Sequence, residues 1–229
     1  MIEFEEYDPP DEILFFGAHV PNILLHRCIK SIYENKSCPD RSEPFIERFE
    51  GSLLFVDISG FTALSRCLHV ETLKTYINAY FTKMLDVIDK FGGNVSKFAG
   101  DALYIIWPAT QSESLEFCVQ MAFLCSVEIT DVCNNYAVSL KEHSSLKEHS
   151  EKNSSPSSTS TPSPTSNGYD NNQTIYMNVH SGIAVGVMAA VDVGCNGRWE
   201  MLFLGQPLTD VATAGNPPYF IKYRIVGHI

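Results

Sequence analysis

Apolar positions along this chain change their spacing several times, and each change predicts an element. Leu53-Leu54-Phe55-Val56-Asp57-Ile58 is a nearly continuous β-prone run, which reads as a buried strand closed by the small turn Ser59-Gly60. Phe61, Leu64, Cys67 and Leu68 then fall at helical steps. Leu73, Ile77, Tyr80, Phe81, Met84, Leu85, Ile88 and Phe91 follow at mostly three- and four-residue intervals, predicting a longer helix with one core-facing stripe that stops at Gly92-Gly93. Asn94 to Phe98 and Ala102 to Trp107 read as strands around Ala99-Gly100-Asp101, a hairpin that presents Asp101 at its tip. Leu115, Cys118, Met121, Ala122, Cys125, Ile129 and Val132 predict another helix, with its cysteines as small core residues.

The pattern breaks at Ser139. A hexamer, Ser-Leu-Lys-Glu-His-Ser, occupies 139–144 and repeats at 145–150, then runs into a Ser/Thr/Pro/Asn tract reaching Gln173. Such a segment buries too little apolar area to offset its ordering entropy, so 139–173 is expected to be a disordered insertion. His143 and His149 belong to it and are not favoured as metal ligands. Order is expected to resume at Thr174, with strands over Tyr176 to Val185, Val187 to Val193 and Met201 to Leu204, and a short helix from Leu208 to Gly215.

Upstream, the apolar stretch 13–25, broken by Gly17 and Pro21, is expected to pack on the main domain. The polar run Glu34 to Pro44 leads to the first core strand. The resulting plan is a lead segment at 1–50, a domain at 51–216 and an atypical tail at 217–229, where Pro217-Pro218-Tyr219-Phe220 departs from a continuing helix. The order β-α-α-β-β-α-β-β-β-α predicts an α+β fold, a mixed sheet with helices on one side. Its nearest common motif is the ferredoxin-like βαββαβ unit.

Composition narrows the function. Hydrophobic residues make up 45% of 229 residues, enough for a packed core of one ordinary domain. The net charge of −11 argues against a general nucleic-acid or anionic-membrane surface, which needs clustered Lys and Arg. Phosphate ligands would have to be held locally, by metals and backbone amides. The acidic start Met1-Ile2-Glu3-Phe4-Glu5-Glu6 lacks the features of a secretory signal. No apolar run approaches the roughly 18 residues of a membrane span, so a soluble, cytoplasmic setting is expected. Seven cysteines without a Cys-x-x-Cys pair fit that setting and give no zinc motif.

The candidate chemistry lies in two aspartates, Asp57 at the end of the first strand and Asp101 at the hairpin tip. An aspartate after a strand is often only a helix cap, and Ser59 and Thr62 could also cap the helix that follows. Two such carboxylates accompanied by Gly60, Gly92, Gly93 and Gly100 favour a metal site instead, because hard divalent cations take carboxylate oxygens and can clamp a phosphoryl group.

Several blocks in order carry a resemblance: Phe55-Val56-Asp57-Ile58-Ser59-Gly60-Phe61-Thr62, Phe91-Gly92-Gly93, Lys97-Phe98-Ala99-Gly100-Asp101-Ala102-Leu103, Leu204-Gly205-Gln206 and, upstream, Ala18-His19-Val20-Pro21. Over about residues 17–136 and 174–216 the chain resembles the class III nucleotidyl cyclases. Within them it is similar to the first cyclase domain of the bicarbonate-responsive soluble adenylyl cyclases (adenylate cyclase type 10). The resemblance implies that Asp57, Asp101 and the carbonyl of Ile58 hold two Mg2+ (or Mn2+). It implies that Ser59, Gly60, Phe61 and Thr62 meet the triphosphate of ATP, and that the product is cyclic AMP.

It also implies further site residues and some departures. His180 stands where relatives carry an Arg or Lys that approaches phosphate. Lys97 occupies the base-reading lysine position, which in a first domain faces a second, degenerate pocket and resembles the lysine that meets bicarbonate. The arginine expected beside it falls at Ala212. The Asn and Arg that support the transition state in complete relatives are Thr209 and Thr213 here, and the base-selecting position is Leu202. The expected function is therefore the metal-supplying half of an adenylyl cyclase, needing a second cyclase domain in cis or trans. The alternative is a catalytically silent nucleotide-binding or dimerisation module that regulates a cyclase.

Overall fold

The computed structural model describes residues 20, 24–25, 45–140, 174–195, 198–214 and 225–227. Most of the 13–25 lead, nearly all of the 139–173 insertion with His143 and His149, and most of the 217–229 tail lie outside the described residues.

The first strand, β1 (Ile46–Ser59), pairs with β3 (Ala102–Pro108) on one edge and with the long β5 (Thr174–Cys195) on the other. Outside β3 lies β2 (Asn94–Ala99), and outside the start of β5 lies β4 (Tyr136–Ser139). The order is β2-β3-β1-β5-β4, and β6 (Arg198–Gly205) and β7 (Ile225–Gly227) also pair with β5. The β5–β7 pair is parallel and the other pairs are antiparallel, which makes the sheet mixed.

Alternation along β1 sorts the two faces of the sheet. Leu54, Val56 and Ile58 point into the main core, under α2 (Val70–Lys90) and α3 (Leu115–Cys133). Tyr80, Met84 and Ile88 of α2 and Cys118, Ala122, Cys125 and Ile129 of α3 complete that core. Cys133 also belongs to it, so all three α3 cysteines are interior residues as expected. Inside the layer, the Tyr80 hydroxyl donates to the Cys133 carbonyl at 3.0 Å, and the hydroxyls of Ser126 and Ser181 lie 3.0 Å apart. Burial keeps the Tyr80 phenol protonated far above its ordinary range.

The opposite face, bearing Leu53, Phe55 and Asp57, is more open. A small cluster of Leu53, Ile106, Ala184, Met188 and Val211 covers part of it beneath α4 (Gln206–Ala214). Helices on one side therefore describes the two long helices, while α4 occupies the other face. The short α1 (Phe61–Cys67) links β1 to α2.

Three boundaries differ from the sequence reading. β1 begins at Ile46 rather than Leu53, because Glu47, Arg48 and Glu50 interrupt the apolar run, yet these residues pair in register with β5. The two strands expected between Tyr176 and Val193 are one strand, since pairing with β1 runs unbroken through Gly51 and Gly186. β4 forms where the disordered tract was expected to begin at Ser139, its four residues held by pairing with Thr174 to Met177. A strand that short is set by its partner, and little in its own sequence announces it.

Candidate active site

On the open face, cross-strand register brings the two aspartates to one place. Asp57 pairs with Ala102 on one side and with His180 on the other, and Asp101 immediately precedes Ala102 in the β2–β3 turn. Gly100 takes φ +68 there, a left-handed turn position that glycine adopts without steric cost, so the hairpin closes with Asp101 at its tip as expected. The charge of Asp101 reaches Asp57. Burial raises the Asp57 carboxyl above the ordinary value, and the charge of Asp101 raises it further. His180 and a hydrogen bond involving the Ile58 backbone pull it down.

The turn after Asp57 is built differently from a side-chain cap. Gly60 is the N-cap of α1 at φ +92, with no side-chain cap bond, and neither Ser59 nor Thr62 fills that role. A Cβ at Gly60 would stand 2.6 Å from the Tyr176 carbonyl oxygen, so β5 presses directly on the turn. The Ser59 hydroxyl instead donates to the Asn178 carbonyl at 3.3 Å. Ile58 buries its side chain in the main core, which leaves its backbone as the part available to a ligand. Phe61 packs against the same core and Thr62 is exposed.

Lys97 stands apart from the acidic pair. It pairs with Tyr104, which pairs with Phe55, two residues and about 7 Å along β1 from Asp57. The Phe55 and Tyr104 rings lie 5.0 Å apart at 55°, beside a cavity of about 220 Å³. Leu53, Lys97, Tyr104, Ile106, Met201 and Leu208 are among its lining residues, and neither aspartate lines it. The aromatic pair was missed in the sequence. Its signal was the two-residue step from Phe55 to Asp57, which places both on one strand face.

The donor set fits a hard divalent cation: two carboxylates whose mutual repulsion a cation would relieve, beside a backbone turn. No group of three or more His, Cys, Asp or Glu converges among the described residues, so a metal here would complete its shell from phosphate oxygens, backbone or water.

The family described as the adenylate and guanylate cyclase catalytic domain matches residues 47–205, and the chain belongs to that family. Among curated relatives, adenylate cyclase type 10 of Homo sapiens is 33% identical over 135 residues, covering 56% of this chain and 8% of the relative. That of Rattus norvegicus is 34% identical over 125 residues, covering 51% and 7%. The chain thus spans under a tenth of the length of these relatives. A solved bacterial light-regulated adenylyl cyclase shares the fold at a TM-score of 0.55 and 19% identity, covering 90% of this chain and 48% of its own. Among the described residues no helix is long and apolar enough to cross a membrane.

Proposed function

We propose that this chain is the metal-supplying half of an adenylyl cyclase, which converts ATP to cyclic AMP and pyrophosphate when a complementary cyclase domain faces it. The observation that carries the reading is the convergence of Asp57 and Asp101, distant in sequence, on the open face. Their carboxylates, with the Ile58 carbonyl, would hold two Mg2+ or Mn2+. When bound, such cations neutralise the triphosphate and lower the barrier to attack by the ribose 3′-oxygen on the α-phosphorus. The turn Ser59-Gly60-Phe61-Thr62 directs backbone amides at the start of α1 toward phosphate oxygens, and His180 adds a donor beside Asp57. A soluble, cytoplasmic setting belongs to the same reading.

Thr209, Thr213 and Leu202 stand where the resemblance implies transition-state and base-reading groups. The second cyclase domain would supply those groups. The same three residues favour the alternative, a nucleotide-binding or dimerisation module, for the chain in isolation.

The test is cyclic AMP formation from ATP with Mg2+ or Mn2+, measured for the chain alone and mixed with a second cyclase domain. Activity in the mixture is expected, falling at least about a hundredfold in Asp57→Ala and in Asp101→Ala. Undiminished activity in both variants would remove the metal assignment, and nucleotide binding without turnover in the mixture would favour the regulatory module.

A further inference from the structure

The turn that follows Asp57 rests on the first residues of β5, and that part of β5 is held from its far side by two asparagines. Ile58 pairs with Val179, Ser59 bonds the Asn178 carbonyl, and Gly60 lies against Tyr176. On the other edge, the Asn134 side-chain oxygen accepts the Val179 N–H at 2.8 Å, and the Asn178 side-chain oxygen accepts the Asn135 N–H at 2.9 Å. Asn134 closes α3, and Asn135 turns the chain into β4 through φ +57. The two bonds are reciprocal, each side chain taking a backbone amide of the opposing segment. They extend the β4–β5 ladder beyond Tyr136↔Met177 to the residues that face β1.

This brace has a mechanical reason. Residues 140–173 separate β4 from β5 in the sequence, and closing a loop of that length carries an entropic cost against their pairing. β4 itself contributes only four residues of pairing. α3, by contrast, is fixed in the core through Cys125, Ile129 and Cys133. The asparagines therefore tie the start of β5 to a helix seated in the core.

We infer that Asn134 and Asn178 are positioning residues for the metal turn, holding β5 so that Asp57 and the Ile58 carbonyl keep one geometry. The inference rests on the metal reading above. Asn134 acts through Val179, which pairs with Ile58, and Asn178 acts through its bond to Asn135 and its own pairing with Ser59. Partners that orient metal ligands are worth about 10–100-fold in metal affinity or activity, and a role confined to positioning the turn is read in the affinity.

The experiment uses the full chain mixed with a second cyclase domain. It reads the metal dependence of cyclic AMP formation, Mn2+ binding in the presence of an ATP analogue by electron paramagnetic resonance, and thermal melting. Asn134→Ala is expected to raise the half-saturating metal concentration about tenfold and to weaken Mn2+ binding in step, with turnover at saturating metal little changed. Asn134→Asp keeps a side-chain oxygen for the Val179 N–H and is expected to restore both. If Asn134→Ala fails to fold, Asn178→Ala is read in its place, with the same shift expected.

A folded variant with native metal dependence overturns the inference, as does Asn134→Asp behaving like Asn134→Ala. The two levels separate cleanly. A native mixture that binds Mn2+ and loses that binding in Asp57→Ala, beside neutral asparagine variants, defeats only the positioning role. A native mixture with no metal dependence defeats the metal reading and this inference together.

Discussion

Asp57 illustrates how a carboxylate drawn partly out of water costs its fold stability. Its carboxyl is raised by burial and then by Asp101, so folding makes its proton harder to remove. A group whose folded pKa exceeds its unfolded value favours the fold fully below the unfolded pKa, and that contribution is lost as pH rises through the folded pKa. The metal-free protein should therefore lose stability as pH climbs above the ordinary aspartate range. Asp57→Asn should flatten that part of the pH dependence and melt higher than the native chain at neutral pH without metal. Adding Mg2+ with an ATP analogue, in the presence of the second domain, should stabilise the native chain and not the variant. Equal metal-free melting temperatures at pH 7 would show that Asp57 bears no such strain. The aspartate itself was legible from its place after an apolar strand. Its perturbation was not, because that depends on Asp101, brought beside it by the pairing of β1 with β3.

Among the elements, α2 and α3 carry the sheet and so hold the site in place. Their contact is mostly apolar, and two of the polar ties across it differ in worth. Lys90 meets Glu128 at 2.6 Å on the surface, where solvent and side-chain entropy limit such a pair to about 0–1 kcal/mol. The Tyr80 hydroxyl bonds the Cys133 carbonyl inside the core, next to the Asn134 that caps α3. Tyr80→Phe leaves that buried carbonyl without the phenol as donor and should destabilise by about 1–2 kcal/mol in urea unfolding, while Lys90→Ala should cost less than about 1 kcal/mol. The reverse ranking would mean that the surface pair, not the buried bond, joins the helices. Both helices were readable from three- and four-residue spacing. β4 and the single long β5 were not, since their extent follows from partners rather than from their own pattern.

For the whole molecule, the open face decides what can bind where. The acidic pair lies at one end, and the Lys97–Tyr104–Phe55 row with its cavity lies further along the same sheet. Metal and anion responses should therefore separate. In the mixture with a second cyclase domain, Lys97→Ala should reduce any stimulation by bicarbonate while leaving the half-saturating Mg2+ concentration within about twofold of native. An unchanged bicarbonate titration removes Lys97 from that role, and a large shift in metal dependence would mean that the two ends act as one site. On the proposed reading, the departures at Thr209, Thr213 and Leu202 belong to this scale too, since a second domain would then supply the groups of a full cyclase centre.

The sequence alone determined the helical stripes, the buried strand before Asp57, the Gly100-Asp101 hairpin and the family resemblance, because each is written within a short stretch of apolar spacing and turn chemistry. It named both aspartates and Lys97 as candidates. Only the tertiary structure decided that Asp57 lies opposite His180 and beside the Asp101 turn, that Gly60 rather than Ser59 or Thr62 caps α1, and that Asn134 and Asn178 exchange hydrogen bonds between the end of α3 and the start of β5. Those facts depend on strand register and on the docking of α3, where residues far apart in sequence meet. Local spacing sets which face a side chain takes, while pairing between strands sets what stands next to it.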